Sequence, residues 1–419
     1  MRIAQSVQGA ARLGFDTVDG VTNIVEGMYR NISAFPLPFG RAPEGGARGI
    51  AGLVHEAVRQ VNGAVRQGVD ATLTQVAEHL EYEAPDSPAM LALVSALNGV
   101  LGDHLEATDN PLAIPMALVS DPADAGPDIL VMVHGLAMHC SFFTWKGHNH
   151  GEAVARSHGY SPVWAHYNSG RHIAVNGREL ADKLEELVDY WPVPVRSLRF
   201  IGFSMGGLVT RSALHAAGKR GHRWPALTRQ AVYLGSPHHG SAVERGGNWF
   251  QAAFQMSPYS APLAALGMIR SAGITDLRHG NVVDEDCHPD RFAHHDDRRQ
   301  ITPLAPNIAH YAVAASLAAD RDDRLRRPLG DGLVAPRSAL GDHRDPARGL
   351  GIPETNRLLL SRTGHLELLG HPSVSVTLKQ WLAPQEAESR KVVSEALSPK
   401  GMAGYWPAVA KLMGWPQRR

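Results

Sequence analysis

Phe200-Ile201-Gly202-Phe203-Ser204-Met205-Gly206-Gly207-Leu208-Val209 sets a G-x-S-x-G pentapeptide between an apolar strand run and a helical run. A serine at such a strand–turn–helix junction sits on a sharp, strained turn with its hydroxyl exposed. The glycines two residues before and after it let neighbouring chain approach without side-chain clash. The N-terminus of the helix that follows favours negative charge nearby. The pentapeptide alone is common; in this frame it marks Ser204 as a candidate nucleophile.

Outward from this stretch, short apolar runs alternate with longer helical segments. Ile129–Val133, Pro162–Tyr167, Leu198–Gly202, Ala231–Leu234, Tyr311–Ala315 and Arg357–Leu360 read as strands. Glu179–Tyr190, with Leu180, Leu184 and Leu187 on one face, and Gly206–Ala217 read as helices. The alternation predicts a mostly parallel sheet with helices on both faces, and functional groups at the carboxyl ends of the strands.

A serine hydroxyl needs a base, and the base needs an orienting acid. In hydrolases of this topology the order along the chain is serine, acid, histidine. With 22 histidines, position decides. His365, in Thr363-Gly364-His365-Leu366, follows the last strand run in a short loop and is the expected base; His371, before Pro372, is the weaker candidate. Asp331 stands between Gly330 and Gly332, after the Tyr311 strand, and is the expected acid. Asp322, Asp323, Asp342 and Asp345 lie in charged stretches, and Asp276 comes before the last two strands. An oxyanion needs two backbone N–H donors. The amides of Met205 and of Leu136, in His134-Gly135-Leu136 after the first strand, are expected to supply them, with His134 as a structural residue of that loop.

His134-Gly135-Leu136, Gly202-Phe203-Ser204-Met205-Gly206, Gly235-Ser236-Pro237-His238-His239-Gly240-Ser241, Asp331-Gly332-Leu333-Val334 and His365-Leu366 together resemble the α/β-hydrolase superfamily. Within it the chain is similar to bacterial lipases and carboxylesterases, and to the deacylase branch that removes acyl chains from GPI-type inositol lipids. Tyr167-Asn168-Ser169-Gly170 with Asn176-Gly177 adds to the likeness. The match covers roughly residues 112 to 384 and is specific for superfamily and chemistry, not for substrate. It implies an α/β-hydrolase fold and a serine carboxylic-ester hydrolase, an esterase or lipase acting through an acyl-enzyme on medium-chain or lipid-like esters. An acyltransferase, an amidase, or a non-catalytic interaction protein with a relic site are the alternatives.

Three regions are expected: an N-terminal helical region (1–108), the catalytic domain (109–385) and a helical tail (386–419). In the first, one apolar stripe runs from Ile3 to Ile32 and another from Ile50 to Val76, joined by a Pro/Gly-rich loop. They suggest a helical hairpin packed as an appendage; a third helix is expected from Ser87, a plausible N-cap, to about Leu105. Peripheral membrane contact or partner binding is the functional alternative for the hairpin, although its polar faces mix Asp, Glu and Arg. The excursion from about 242 to 308 contains Trp249-Phe250-Gln251-Ala252-Ala253-Phe254-Gln255-Met256, more apolar than a solvated loop requires. It is a candidate cap, with Phe250 and Phe254 as substrate-binding residues and His238 as a wall of the cleft.

Composition narrows partners. Lys+Arg and Asp+Glu are 41 each, which gives no electrostatic case for nucleic acid. Gly 42 and Pro 28 predict many turns. Two cysteines, Cys140 and Cys287, cannot build a disulfide framework and are expected to be free or buried thiols. Asp284-Glu285-Asp286-Cys287-His288-Pro289-Asp290 and His294-His295-Asp296-Asp297 contain metal-ligand types without a metal-site spacing, and are expected to form a charged surface loop. No cofactor is expected: there is no dinucleotide fingerprint and no P-loop, and serine hydrolysis needs no metal. The opening residues lack an apolar stretch of signal-peptide length, and Ala89–Leu101 is too short and polar to span a bilayer. A cytoplasmic protein binding a small-molecule or lipid ester is the expectation; the oligomeric state is not legible.

Overall fold

The computed structural model describes residues 88–121, 123, 125–240, 271–287, 297, 299–319 and 330–384. Seven strands form one sheet: β1 (Ala117–Val119), β2 (Asp128–Val133), β3 (Ser161–His166), β4 (Ser197–Phe203), β5 (Thr228–Leu234), β6 (Ala309–Ser316) and β7 (Arg357–Ser361). Their spatial order is β1-β3-β2-β4-β5-β6-β7. β1 runs antiparallel to β3, and every other pair is parallel. Six of the strands are those expected from the sequence, within a few residues at each end. The short edge strand β1 was not expected.

The helices are α1 (Pro88–Ala107), α2 (His150–His158), α3 (Ile173–Tyr190), α4 (Met205–Arg220), α5 (Trp224–Leu227), α6 (Ala272–His279), α7 (Pro336–Ala339) and α8 (Pro372–Trp381). Side-chain alternation along the buried strands sorts the core into two layers. Ile129, Val131 and Val133 of β2 join Phe200 and Tyr233 in a cluster with Leu180 and Leu184 of α3 and Leu208 of α4. Leu130 and Met132 point the other way, into a cluster with Ile201, Phe203, Val154 of α2 and Val374 of α8. Helices therefore cover both faces, which is why these strands read as continuous apolar runs. With Ser204 at the turn between β4 and α4, this is an α/β-hydrolase fold.

Helix α1 buries Val94, Leu97, Val100, Leu101 and Leu105 in the first of those layers. Its Asn98 side chain accepts from Ile114 N (2.9 Å) and donates to Leu112 O (2.7 Å). Asn168 Nδ2 donates to Gly102 O (2.8 Å), and Ser271 Oγ to Gly99 O (2.7 Å). The third expected helix thus shares the core of the sheet, on the N-terminal side of the boundary drawn at 108. Ser87, the two apolar stripes before it, and the tail beyond 386 lie outside the described residues. Within the 242–308 excursion, α6 packs Ile274 and Leu277 into the same core, whereas the segment 249–256 lies outside the described residues. No described helix is long and apolar enough to cross a membrane.

Candidate active site

One residue separates β4 from α4, and it is Ser204, at φ 53° and ψ −121°. A non-glycine residue held there stores strain that the surroundings must enforce. They do so through the backbone: Ser204 N donates to Leu234 O (2.8 Å) and Gly207 N to Ser204 O (3.1 Å). The start of α4 is pressed against the end of β2, so that a Cβ on Gly206 would stand 2.0 Å from Val133 O. That contact accounts for the second glycine of the pentapeptide.

Asp331 and His365, the expected acid and base, come from the loops after β6 and β7. Asp331 is buried and closes its own turn: Oδ1 accepts from Leu333 N (3.0 Å) and Val334 N (2.8 Å). Its other oxygen, Oδ2, lies 2.7 Å from His365 Nδ1, and its carbonyl accepts from His365 N (3.0 Å). With Nδ1 donating to the carboxylate, the remaining nitrogen of the neutral ring is a lone-pair base. His365 Nε2 is buried and has no hydrogen-bond partner among the described residues. The ring packs on Phe203, centroids 5.0 Å apart, and over Gly235, whose backbone follows the Leu234 carbonyl that holds Ser204. Ser204, Asp331 and His365 are thus gathered at the carboxyl end of the sheet. His371, the weaker base candidate, caps α8 by accepting from Ser373 N (3.2 Å). Asp276 is buried, accepting from Ile173 N (2.8 Å) and Asn281 Nδ2 (3.0 Å). Asp342 pairs with Arg357 at 2.9 Å.

The loop bearing Leu136 runs beside Ser204. A Cβ on Gly135 would stand 3.2 Å from Ser204 Cβ and 3.3 Å from the Phe203 ring. Tyr167 Oη donates to His134 O (2.6 Å), and Ala137 N donates to Ser169 Oγ (2.9 Å). Tyr167 and Ser169 are therefore struts of this loop, and the only trace of that role in the sequence is the Tyr167–Gly170 motif. His134 stacks on Tyr167 with ring centroids 4.2 Å apart. Burial lowers its pKa to about 3, so the ring is neutral and structural, as expected.

His238, expected to wall the cleft, is fully buried, with Nδ1 3.3 Å from Arg211 Nη1 and its ring edge-on to Tyr233 at 4.9 Å. None of these partners is Ser204, Asp331 or His365. Phe250 and Phe254 lie outside the described residues. Among the described residues, a cavity of about 520 Å³ and a smaller one of about 80 Å³ are not lined by Ser204, Asp331 or His365.

Cys140 and Cys287 are free thiols. Among the described residues, two side-chain groups bring metal-ligating atoms within 4.8 Å of one another: His139, Cys140 and His166, and His172, Asp276 and Cys287. Imidazole and thiolate donors suit zinc-like ions. Neither group contains Ser204, Asp331 or His365. In the acidic loop, Asp284 pairs with Arg178, and Glu285 with Lys219 at 3.1 Å. His288, Asp290, His294, His295 and Asp296 lie outside the described residues.

No protein-family model and no curated protein matches the chain. Solved structures similar to it include the mature lipase BlEst2 of Bacillus licheniformis, at 19% identity and TM-score 0.39, over 64% of this chain and 98% of that one. The Pyrococcus furiosus esterase Pf2001 is 14% identical with TM-score 0.38, over 65% and 87% of the two chains. EstA from Clostridium botulinum is 11% identical with TM-score 0.38, over 64% and 88%.

Proposed function

We propose that this chain is a serine carboxylic-ester hydrolase with Ser204 as nucleophile, His365 as general base and acid, and Asp331 as the orienting carboxylate. The observation that carries the reading is the His365 ring: Nδ1 is held by Asp331 at 2.7 Å, Nε2 has no partner among the described residues, and the ring packs on Phe203, the residue before the strained, junction-borne serine. His365 Nε2 takes the Ser204 proton as Oγ attacks the ester carbonyl. The amides of Leu136 and Met205 hold the oxyanion. The alcohol leaves with the proton from His365, forming an acyl-enzyme. Water, deprotonated by the same nitrogen, then releases the acid and restores Ser204. Hydrogen bonds in such sites commonly tighten only when substrate binds.

Medium-chain or lipid-like esters are the proposed substrates, on the strength of the apolar segment that contains Phe250 and Phe254. A nitrophenyl-ester series from acetate to palmitate tests this reading, together with fluorophosphonate labelling mapped to Ser204. The expected result is labelling at Ser204 and kcat/KM rising from acetate to medium chains, since each buried CH₂ contributes about 0.8 kcal/mol. A folded protein that neither labels nor turns over any ester is an interaction protein with a relic site. A flat chain-length profile removes the acyl-binding role of the segment and leaves the chemistry.

A further inference from the structure

The smaller cavity, about 80 Å³, is lined by Arg211, His238, His239, Asp286, Arg299 and Arg348 among others. Arg211 comes from α4, about two turns beyond Ser204. The histidines belong to the turn after β5, and the other three to the connections flanking β6. The anions on this wall are already engaged. Asp286 accepts from Val282 N (2.9 Å) and Val283 N (3.2 Å) through one oxygen and from Gln300 N (2.7 Å) through the other. Arg299 forks onto Asp297 at 2.8 and 2.7 Å, and Arg348 shares that carboxylate at 3.4 Å.

Arg211 is different. It is buried, and among the described residues no carboxylate lies within ion-pair distance of it. Nη2 donates to Thr302 O (3.0 Å), Nη1 faces His238 Nδ1 at 3.3 Å, and Nε is buried with no partner among the described residues. Burial lowers the guanidinium pKa only to about 10, so it stays charged at neutral pH. Because a guanidinium can only donate, His238 Nδ1 is the acceptor of that contact, and the ring proton sits on Nε2. Nε2 is also buried without a partner among the described residues. One charged and one neutral N–H donor are therefore sequestered from water beside the same small cavity. Such orphaned donors are costly unless something accepts from them. A small oxyanion supplies acceptor oxygens in several directions and the missing negative charge, and a guanidinium fork suits it.

We propose that this cavity is a binding site for a small oxyanion of the phosphate class, held by Arg211 and His238 with Arg299 and Arg348 at its rim. The site is separate from the triad and joins α4, the turn after β5 and the connections on either side of β6. Its occupation stabilises the folded chain by mass action, whatever the chain hydrolyses.

The full chain is titrated calorimetrically with inorganic phosphate, and its thermal unfolding is followed in phosphate, sulfate, acetate and chloride at matched pH and ionic strength. The expected result is one saturable phosphate site per chain and a rise in Tm that sulfate reproduces, acetate reproduces weakly and chloride does not. Arg211→Gln should abolish the saturable shift. If that variant does not fold, Arg348→Gln at the rim reads the same site and should weaken phosphate about tenfold, the loss of one charge-assisted contact. Phosphate acting no differently from chloride means that water alone fills the cavity and sinks the proposal. Unchanged phosphate affinity in the folded variants places the ion elsewhere and overturns it too.

Discussion

The phenol of Tyr167 donates to the carbonyl of His134 at 2.6 Å, tying the end of β3 to the loop that carries Leu136. The acceptor is buried, so Tyr167→Phe leaves it unsatisfied, at a cost of about 1–3 kcal/mol. The loop lies against Ser204, and the loss should reach the chemistry. Tyr167→Phe is expected to lower both Tm and kcat on a short ester with little change in KM. A lowered Tm with kcat intact would separate the strut from the oxyanion site.

Gly135 reports on the same loop from the other side. A Cβ there meets Ser204 Cβ and Met138 Sδ at 3.2 Å, tight enough that the neighbours must give slightly. Gly135→Ala should keep part of the activity, whereas the branched Gly135→Val must displace the loop. Loss of one oxyanion donor costs roughly 2.7–4 kcal/mol of transition-state stabilisation. Steady-state kinetics on the folded valine variant should therefore show kcat down by two to three orders of magnitude, about the size of that loss. A rise in KM alone would put the second donor elsewhere.

For the triad itself, Ser204→Ala and His365→Ala should each cost roughly 10³-fold or more in kcat, with a double mutant little worse than either single one, because the groups act as a unit. Asp331→Asn keeps the size of the side chain but replaces the acceptor of the His365 Nδ1–H. It is expected to favour the wrong tautomer and to fall with the other two. Near-normal turnover by folded, contaminant-free Ser204→Ala protein would refute the mechanism.

Much of this was legible because it is local. The strand from Leu198 to Gly202 and the helix after Ser204 declare themselves by apolar content and by the glycines at the junction. Asp331 was marked by its position between two glycines, and its side chain does close that turn. Edge strand β1 is three residues long, half exposed, and exists only through pairing with β3, so no periodicity announces it. The contact between Arg211 and His238 is likewise tertiary. Its partners lie 27 residues apart on a helix and a turn, and nothing in either local sequence points to the other. Tyr167 sits in a motif that signalled family likeness without signalling a role.

The proposed steps use only side chains and backbone amides. Chelator treatment should therefore leave turnover of a short ester unchanged. The His139–Cys140–His166 group makes this a sharp test, since His139 and Cys140 continue the loop that carries Leu136. Activity lost to a chelator and restored by one added ion, with Tm held constant, would show that an ion supports that loop.

The histidines also set how stability depends on pH. Burial lowers His134 to about 3, and His150, His166, His239 and His310 to about 4, from an ordinary 6.5. His238 is lowered well below 6.5 for the same reason. In each case the unfolded chain binds a proton near pH 6 that the native chain refuses. Stability from these residues is present above 6.5 and is lost as pH falls from there toward about 4. His172 has the opposite sign: its hydrogen bond to Asp276 raises it to about 10, so its contribution is full below 6.5 and fades as pH rises from 6.5 toward 10. Tm should peak near neutrality, with a steep acid limb that begins near pH 6.5, before most carboxylates titrate, and a shallow alkaline limb. His172→Gln should flatten the alkaline limb and leave the acid one. A Tm constant between pH 6.5 and 4.5 would mean that these rings are solvated in the native protein, and an alkaline limb unchanged in His172→Gln would assign it to another group.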